Sequence, residues 1–207
     1  IMAHGDQRGL KLPPRVAPIQ VVIVPVAAHK DGVKEKALEL ETALKKANVR
    51  VTVDLREQSP GWKFNEWEMK GVPIRLEVGP RDIENSVAVM VRRDNFEKTT
   101  VKFDELEKTV CATLDAIHEN MYNASKEFTH SHIVTAKNMD ELTAGIENKN
   151  FVKAMWCGCP ECEAKIKELT AATSRCMPFD QTPVGDTCVC CGKKATKVIY
   201  FARAYIL

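Results

Sequence analysis

Residues Pro60–Asp82 read PGWKFNEWEMKGVPIRLEVGPRD, and the rest of the chain is read outward from them. Pro60 suits the first position of a helix, because the N–H it lacks would go unpaired there. Gly71 suits the end of that helix, and Pro73 prevents its resumption. Ile74, Leu76 and Val78 then alternate with Arg75 and Glu77, the two-residue period of a half-buried strand. The pattern puts Arg75 on the face opposite the aliphatic row, with Glu68 at the end of the preceding helix. A carboxylate and a guanidinium on adjacent rigid elements, beside Trp62, Phe64 and Trp67, can read nucleobase edges. That use requires the two groups to meet solvent together. The competing reading is a surface ion pair beside a core tryptophan.

Upstream, VVIVPV (Val21–Val26) is a near-continuous apolar run, as expected of a strand covered on both faces. Val33, Ala37, Leu40, Leu44 and Ala47 recur at helical spacing, with Asp31 placed as an N-cap. Val49, Val51 and Val53 return to strand alternation, so the chain forms strand–helix–strand with a right-handed crossover between parallel strands. Downstream, Ser86–Arg92 supplies a further strand. Phe103, Leu106, Val110, Leu114, Ile117 and Met121 form a long amphipathic helix. The sum is a compact α/β domain of mixed sheet and covering helices. Before it, LKLPPRVAP holds Pro13, Pro14 and Pro18 and reads as an extended or polyproline linker.

The 207 residues carry a net charge of +2, which does not identify a partner. Residues 1–102 hold 18 Lys/Arg against 14 Asp/Glu, residues 103–150 hold 4 against 9, and residues 151–207 hold 8 against 5. An acidic middle between two mildly basic parts fits two domains joined by a solvated helical segment. No apolar run reaches the ~20 residues that span a bilayer. The start, IMAHGDQRG, does not open on Met and shows no signal layout, which suggests a segment of something longer. Residues 123–150 are polar and helix-prone, and His118, His130 and His132 in or near them read as solvated or capping groups. Beyond them, FVKAMW is a short strand, Glu161–Leu169 a short helix and Lys197–Tyr205 a final strand.

Six of the eight cysteines fall in two clusters, WCGCPEC (Cys157, Cys159, Cys162) and TCVCCG (Cys188, Cys190, Cys191). Tetrahedral zinc takes four such ligands, and two pairs separated by about 20–30 residues commonly supply them; here 25 residues lie between Cys162 and Cys188. Gly192 favours Cys188 with Cys191, with Cys190 as the alternative, while Cys157 and Cys159 compete for the place beside Cys162. Four thiolates leave no open position, so the metal is structural rather than catalytic. Cys111 and Cys176 read as buried small hydrophobes.

Taken together, HGDQRGLKLPPRVAPIQVVIVPV, GWKFNEWEMKGVPIRLEVGPRD, VRRDNFEK, the two cysteine clusters and a terminal YFARAY resemble the prolyl-tRNA synthetases of archaeal and eukaryotic type. The resemblance covers essentially the whole chain. It implies a class II aminoacyl-tRNA synthetase, a cytoplasmic enzyme that uses ATP and Mg to attach proline to its tRNA. The implied fold is a class II anticodon-binding domain, a mixed five-stranded sheet with flanking helices, followed by a small α/β zinc-binding domain. Residues 1–18 would be the end of the catalytic domain and a linker, 19–122 the anticodon-binding domain, and 123–207 the zinc-binding domain.

The same resemblance matches Glu68 and Arg75, and with a looser register Lys98, to positions that recognise anticodon guanines of tRNA(Pro). It matches Cys157 and Cys162 to the first pair of zinc ligands and finds no family ligand at Cys159; Cys188 and Cys191 complete the expected set. The family dimerises through its catalytic domain and has no membrane partner. The arginine of the third class-defining motif is absent, so the chain is not expected to activate proline by itself. A terminal tyrosine carboxylate directed at the active site is a family feature, but Tyr205 is followed here by Ile206 and Leu207. Two other readings compete: a stand-alone RNA- or protein-binding module of the same fold, and a thiol-redox or metal-storage protein.

Overall fold

The computed structural model describes residues 3–204. The apolar run becomes β1 (Val21–Pro25), buried at every position. The helical period after it is α1 (Val33–Lys46), and the chain returns as β2 (Val51–Val53), parallel to β1 with Val51 opposite Val21. Asp31 does not cap α1. Gly32 is the N-cap, left-handed at φ 79°, and no side chain caps it. Asp31 therefore stands one residue too early to reach the first-turn N–H groups.

α2 (Pro60–Met69) starts as its proline predicts, with the Ser59 hydroxyl accepting from the Trp62 N–H at 3.4 Å. Gly71 ends it at φ +75°, and a Cβ there would stand 2.7 Å from Leu10 Cβ and 2.8 Å from its carbonyl. Only glycine satisfies both demands. Then come β3 (Ile74–Val78), α3 (Pro80–Glu84), β4 (Val87–Arg92) and β5 (Lys98–Lys102). β3 runs parallel to β1, and β4 and β5 add antiparallel to it, giving the mixed order β2-β1-β3-β4-β5. β5 was not anticipated from sequence, because KTTVK holds a single apolar residue and forms an exposed edge.

One 3-10 turn (Phe103–Glu105) leads into α4 (Leu106–Ser131). Its row of Leu106, Val110, Leu114, Ile117 and Met121 packs with Ala37, Leu40 and Leu44 of α1 on the sheet face that carries Val21, Ile23, Ile74 and Leu76. The opposite face carries Val22 and Val24, covered by Val72 and by Phe64 and Trp67 of α2. Two covered faces explain why β1 has no polar position. Cys111 is partly buried against the first core. His118 is not the solvated histidine that was expected, since its Nδ1 is shielded and finds no hydrogen-bond partner.

Contacts divide the chain within α4, into residues 1–125 and 126–207. The second unit holds β6 (Ile133–Ala136), α5 (Met139–Glu147), β7 (Phe151–Trp156), α6 (Pro160–Thr170), β8 (Ala172–Cys176) and β9 (Lys197–Arg203). Its sheet has the order β6-β7-β9-β8, with β6 parallel to β7 and the other pairs antiparallel. Leu142 and Ile146 of α5 and Ile166 of α6 bury the face formed by Val152, Ala154, Ile199 and Phe201. The strand β6 lies inside the stretch read as helix-prone, because a four-residue edge strand leaves little pattern. Cys176 ends β8 exposed, not buried. Tyr205, Ile206 and Leu207 lie outside the described residues. Among the described residues no helix is long and apolar enough to cross a membrane.

Candidate nucleic-acid interface and metal centre

α2 has ten residues and only a weak apolar stripe, so its position depends on polar contacts from the end of β2. Asp54, 3% exposed, accepts from Trp67 Nε1 at 2.8 Å and from Arg56 Nε and Nη2 at 3.0 and 2.7 Å. Lys63, also buried, donates to the Asp54 carbonyl at 3.1 Å. Burial pushes the Asp54 carboxyl up, but the Arg56 guanidinium and the Trp67 N–H outweigh it and bring it from 3.8 to about 2. A buried carboxylate with this many donors fixes the helix on the sheet. Glu68, in the last turn, is held by the same arrangement.

Glu68 and Arg75 come together as the alternation predicts: Arg75 Nη1 donates to Glu68 Oε1 at 2.9 Å. Arg75 also donates through Nε and Nη2 to Glu77 Oε1, at 3.0 and 2.9 Å, and lies 4.1 Å from the Phe64 ring centre. Contrary to expectation, the two groups do not meet solvent together. Arg75 is 7% exposed, roofed by α2 and held between two carboxylates. Alternation along a strand separates two faces but does not say which is covered. The recess lined by Glu68, Arg75, Trp67, Val91, Arg92 and Arg93 encloses about 10 Å³, room for at most one water. A nucleobase cannot sit inside it, and of the pair Glu68, with 17% of its side chain exposed against 8% for Arg75, is the group that reaches solvent.

Lys98 stands on the same face. Arg75 pairs with Val91 across β3 and β4, and Val91 pairs with Lys98 across β4 and β5, so Arg75, Val91 and Lys98 form one cross-strand row. Lys98 is exposed, about 10 Å from β3 at two strand spacings. The structure thus brings Glu68 and Arg75 into contact and sets Lys98 at the open end of their row.

The stretch LKLPPRVAP, read as an extended linker, is bonded along its length to the domain that follows. Leu10 N–H bonds Met69 O at 3.0 Å and Leu12 N–H bonds Gly71 O at 3.1 Å, which ties this segment along the end of α2. Arg50 donates to the carbonyls of Ala17 (2.9 Å) and Pro14 (2.8 Å), closing the turn that the prolines make. Arg93, 4% exposed, forms a forked pair with Asp6 at 2.9 and 2.7 Å and donates through Nε to the Glu68 carbonyl at 2.9 Å. The Arg93 fork and Lys11 hold the Asp6 carboxyl well below the ordinary carboxylate range. Asp6, Arg93 and Glu77 all border the site and were not anticipated from sequence. Arg93 and Asp6 are 87 residues apart, and no local pattern signals such a pairing.

In the second unit the sulfurs of Cys157, Cys162, Cys188 and Cys191 lie within 4.8 Å of one another. Cys157 Sγ is 3.7 Å from Cys162 Sγ and 3.9 Å from Cys191 Sγ. Zn–S bonds of about 2.3 Å in a tetrahedron require sulfurs about 3.8 Å apart, so the four residues fit that ion. Thr187 and Lys194 close a short loop, and Gly192, at φ +71°, lets its N–H bond the Cys188 carbonyl at 2.9 Å. Burial pushes the Cys162 thiol up, whereas in Cys188 the N–H groups of Cys191 and Cys190 outweigh burial and bring it down to about 7. Cys159 lies outside the four-sulfur group, as the N-cap of α6 with its thiol bonded to Glu161, and Cys190 packs toward the core.

Residues 20–113 match the family described as "Anticodon binding domain", and residues 139–205 match "Prolyl-tRNA synthetase, C-terminal". Proline--tRNA ligases of Clostridium botulinum and Clostridium novyi are 57% and 53% identical over 206 residues, 99% of this chain and 43% of each relative. The crystal structure of prolyl-tRNA synthetase from Cryptosporidium parvum, complexed with L-proline and AMP, superposes with a TM-score of 0.94 at 40% identity, over 99% of this chain and 45% of that one. The chain spans less than half the length of the curated relatives it matches.

Proposed function

Because the chain belongs to the prolyl-tRNA synthetase family, with its anticodon-binding and C-terminal domains, we propose that it selects tRNA(Pro) for an aminoacylation carried out by the rest of that enzyme. The observation that carries this reading is the ion-paired Glu68 and Arg75 in register with the exposed Lys98. Glu68 meets the base. A carboxylate only accepts, and guanine alone presents two adjacent donors, N1–H and N2–H₂, on its Watson–Crick edge. Adenine sets its N1 lone pair against the same oxygens, which repels it. Arg75 works from below, holding Glu68 in place with the donors that Glu77 leaves free, and Lys98 takes a guanine O6 or N7 at the open end of the row.

On this reading residues 1–18 are the end of the catalytic domain, 19–122 bind the anticodon and 123–207 form the zinc domain. Cys157, Cys162, Cys188 and Cys191 hold one zinc ion, which ties residues 34 positions apart into a small unit. ATP, Mg, proline and the dimer contact belong to the catalytic part, and the enzyme works in the cytoplasm.

The test is a fluorescence titration of the chain with the anticodon stem–loop of tRNA(Pro), with each anticodon guanine replaced in turn by adenine. The wild-type chain is expected to lose about 1–3 kcal/mol at the guanine that Glu68 reads, the scale of one good base contact. Glu68→Gln should abolish that preference, since an amide can both donate and accept. A Glu68→Gln chain that still distinguishes guanine from adenine as well as wild type rules the assignment out. Arg75→Ala is a poorer probe, because it also takes from both Glu68 and Glu77 the guanidinium that joins them.

A further inference from the structure

The Asp6–Gly9 turn carries a cation to which the reading above gives no role. Asp6 and Gly9 exchange backbone hydrogen bonds at 3.0 and 3.1 Å, and the Arg93 fork pins the turn to the carbonyl of Glu68. At its tip Arg8 reaches over the mouth of the recess. A terminal nitrogen of Arg8 lies 3.6 Å from Glu68 Oε2, and the Arg8 side chain is 60% exposed. Its guanidinium carbon sits 4.3 Å from the Phe96 ring centre, and Arg93 packs against the same ring at 5.2 Å.

Charge balance gives this position a use. Asp6 is shared between Arg93 and Lys11, Glu77 serves Arg75, and Glu68 is shared between Arg75 and Arg8, so four cations face three carboxylates. The Arg8–Glu68 contact is longer than a hydrogen bond and its Arg8 partner is largely solvated, so giving it up costs little. A neutral base edge that takes Glu68 Oε2 displaces Arg8 but brings no charge of its own. The guanidinium then stays on the Phe96 ring with its N–H groups free, beside a nucleotide whose phosphate needs a counter-charge.

We propose that Arg8 is a phosphate-binding residue of the RNA site, exchanging Glu68 for a backbone phosphate when the carboxylate takes the base. This rests on Glu68 as the base reader. It divides the labour on the rim: the carboxylate selects the base, and the arginine anchors the strand without reading it.

The experiment titrates the full chain with the same stem–loop across salt concentrations. Arg8→Ala is expected to weaken binding about tenfold at low salt and to cut the slope of log K against log[salt] by about 0.7, the share of one phosphate on a single strand. Its guanine-over-adenine ratio should remain that of wild type. Arg8→Lys, which keeps the charge, should keep the slope. Lys34→Ala, on α1 against the opposite face of the sheet, should match wild type in both. An unchanged slope in Arg8→Ala overturns the proposal, as does an equal loss in Lys34→Ala. A guanine preference that falls in Arg8→Ala also overturns it, by making Arg8 a base contact. Retained guanine preference with an unchanged slope removes Arg8 alone; a wild-type chain without guanine preference removes the Glu68 reading and this proposal with it.

Discussion

Asp54 shows how one side chain fixes a site it does not touch. Its carboxylate binds Trp67 and Arg56, so the helix carrying Glu68 depends on its charge. The folded value of about 2 lies below the unfolded 3.8, so in the window between them the unfolded chain binds the extra proton. The contribution to stability is therefore complete above about pH 4 and is lost as the pH falls toward about 2. Urea midpoints of wild type and Asp54→Asn should differ clearly at neutral pH and converge across that window. A gap that stays constant from pH 6 to about pH 2 would contradict the assignment. Neither Asp54 nor Lys63 was legible in the sequence as a buried group, because both are charged and neither breaks a pattern. The Glu68–Arg75 pair was legible, since the two residues stand only seven apart across the helix end and the strand start. Its burial was not, because the roof over it comes from Phe64, a tertiary contact.

At the scale of elements, punctuation residues and long apolar periods carried the information. Pro60, Gly71 and the Ile74–Val78 alternation set α2 and β3 at their observed places. The edge strands β5, β6 and β8 escaped, since a strand of four or five residues half in water carries too little alternation to read. Glycine positions allow a direct test of why α2 ends where it does. Gly71→Ala must hold a side chain at positive φ against Leu10 and is expected to cost about 1–3 kcal/mol. Gly61, in the first turn of the same helix, has nothing within 4 Å of a would-be Cβ. Gly61→Ala should stabilise by about 0.5–1 kcal/mol. Urea denaturation of both variants checks the pair, and the same sign for both would refute the argument.

For the molecule as a whole, the two units rely on different sources of stability. Among the described residues, the first has a core of eighteen buried residues around a five-stranded sheet. The second has a ten-residue cluster beside a five-residue one that includes Cys162 and Cys188, a small core of the kind that a metal staple supports. Native mass spectrometry should find one zinc per chain. Chelation followed by hydrogen exchange should strip protection from peptides within 151–203 and leave those within 20–102 unchanged; loss in both alike would count against a local role for the metal. The two cysteine pairs were readable because the spacing within each is short-range, and Gly192 pointed to Cys191 over Cys190, whereas the choice of Cys157 over Cys159 depended on how the loop folds.

The strap formed by Leu10 and Leu12 along the end of α2, with Arg50 gathering the carbonyls behind it, bears on where this gene can be cut. A fragment begun at Ile19, where the first strand's sequence invites a boundary, would bare the Met69 and Gly71 carbonyls and leave Arg93 without its carboxylate. Expression boundaries for a working anticodon module belong upstream of Asp6.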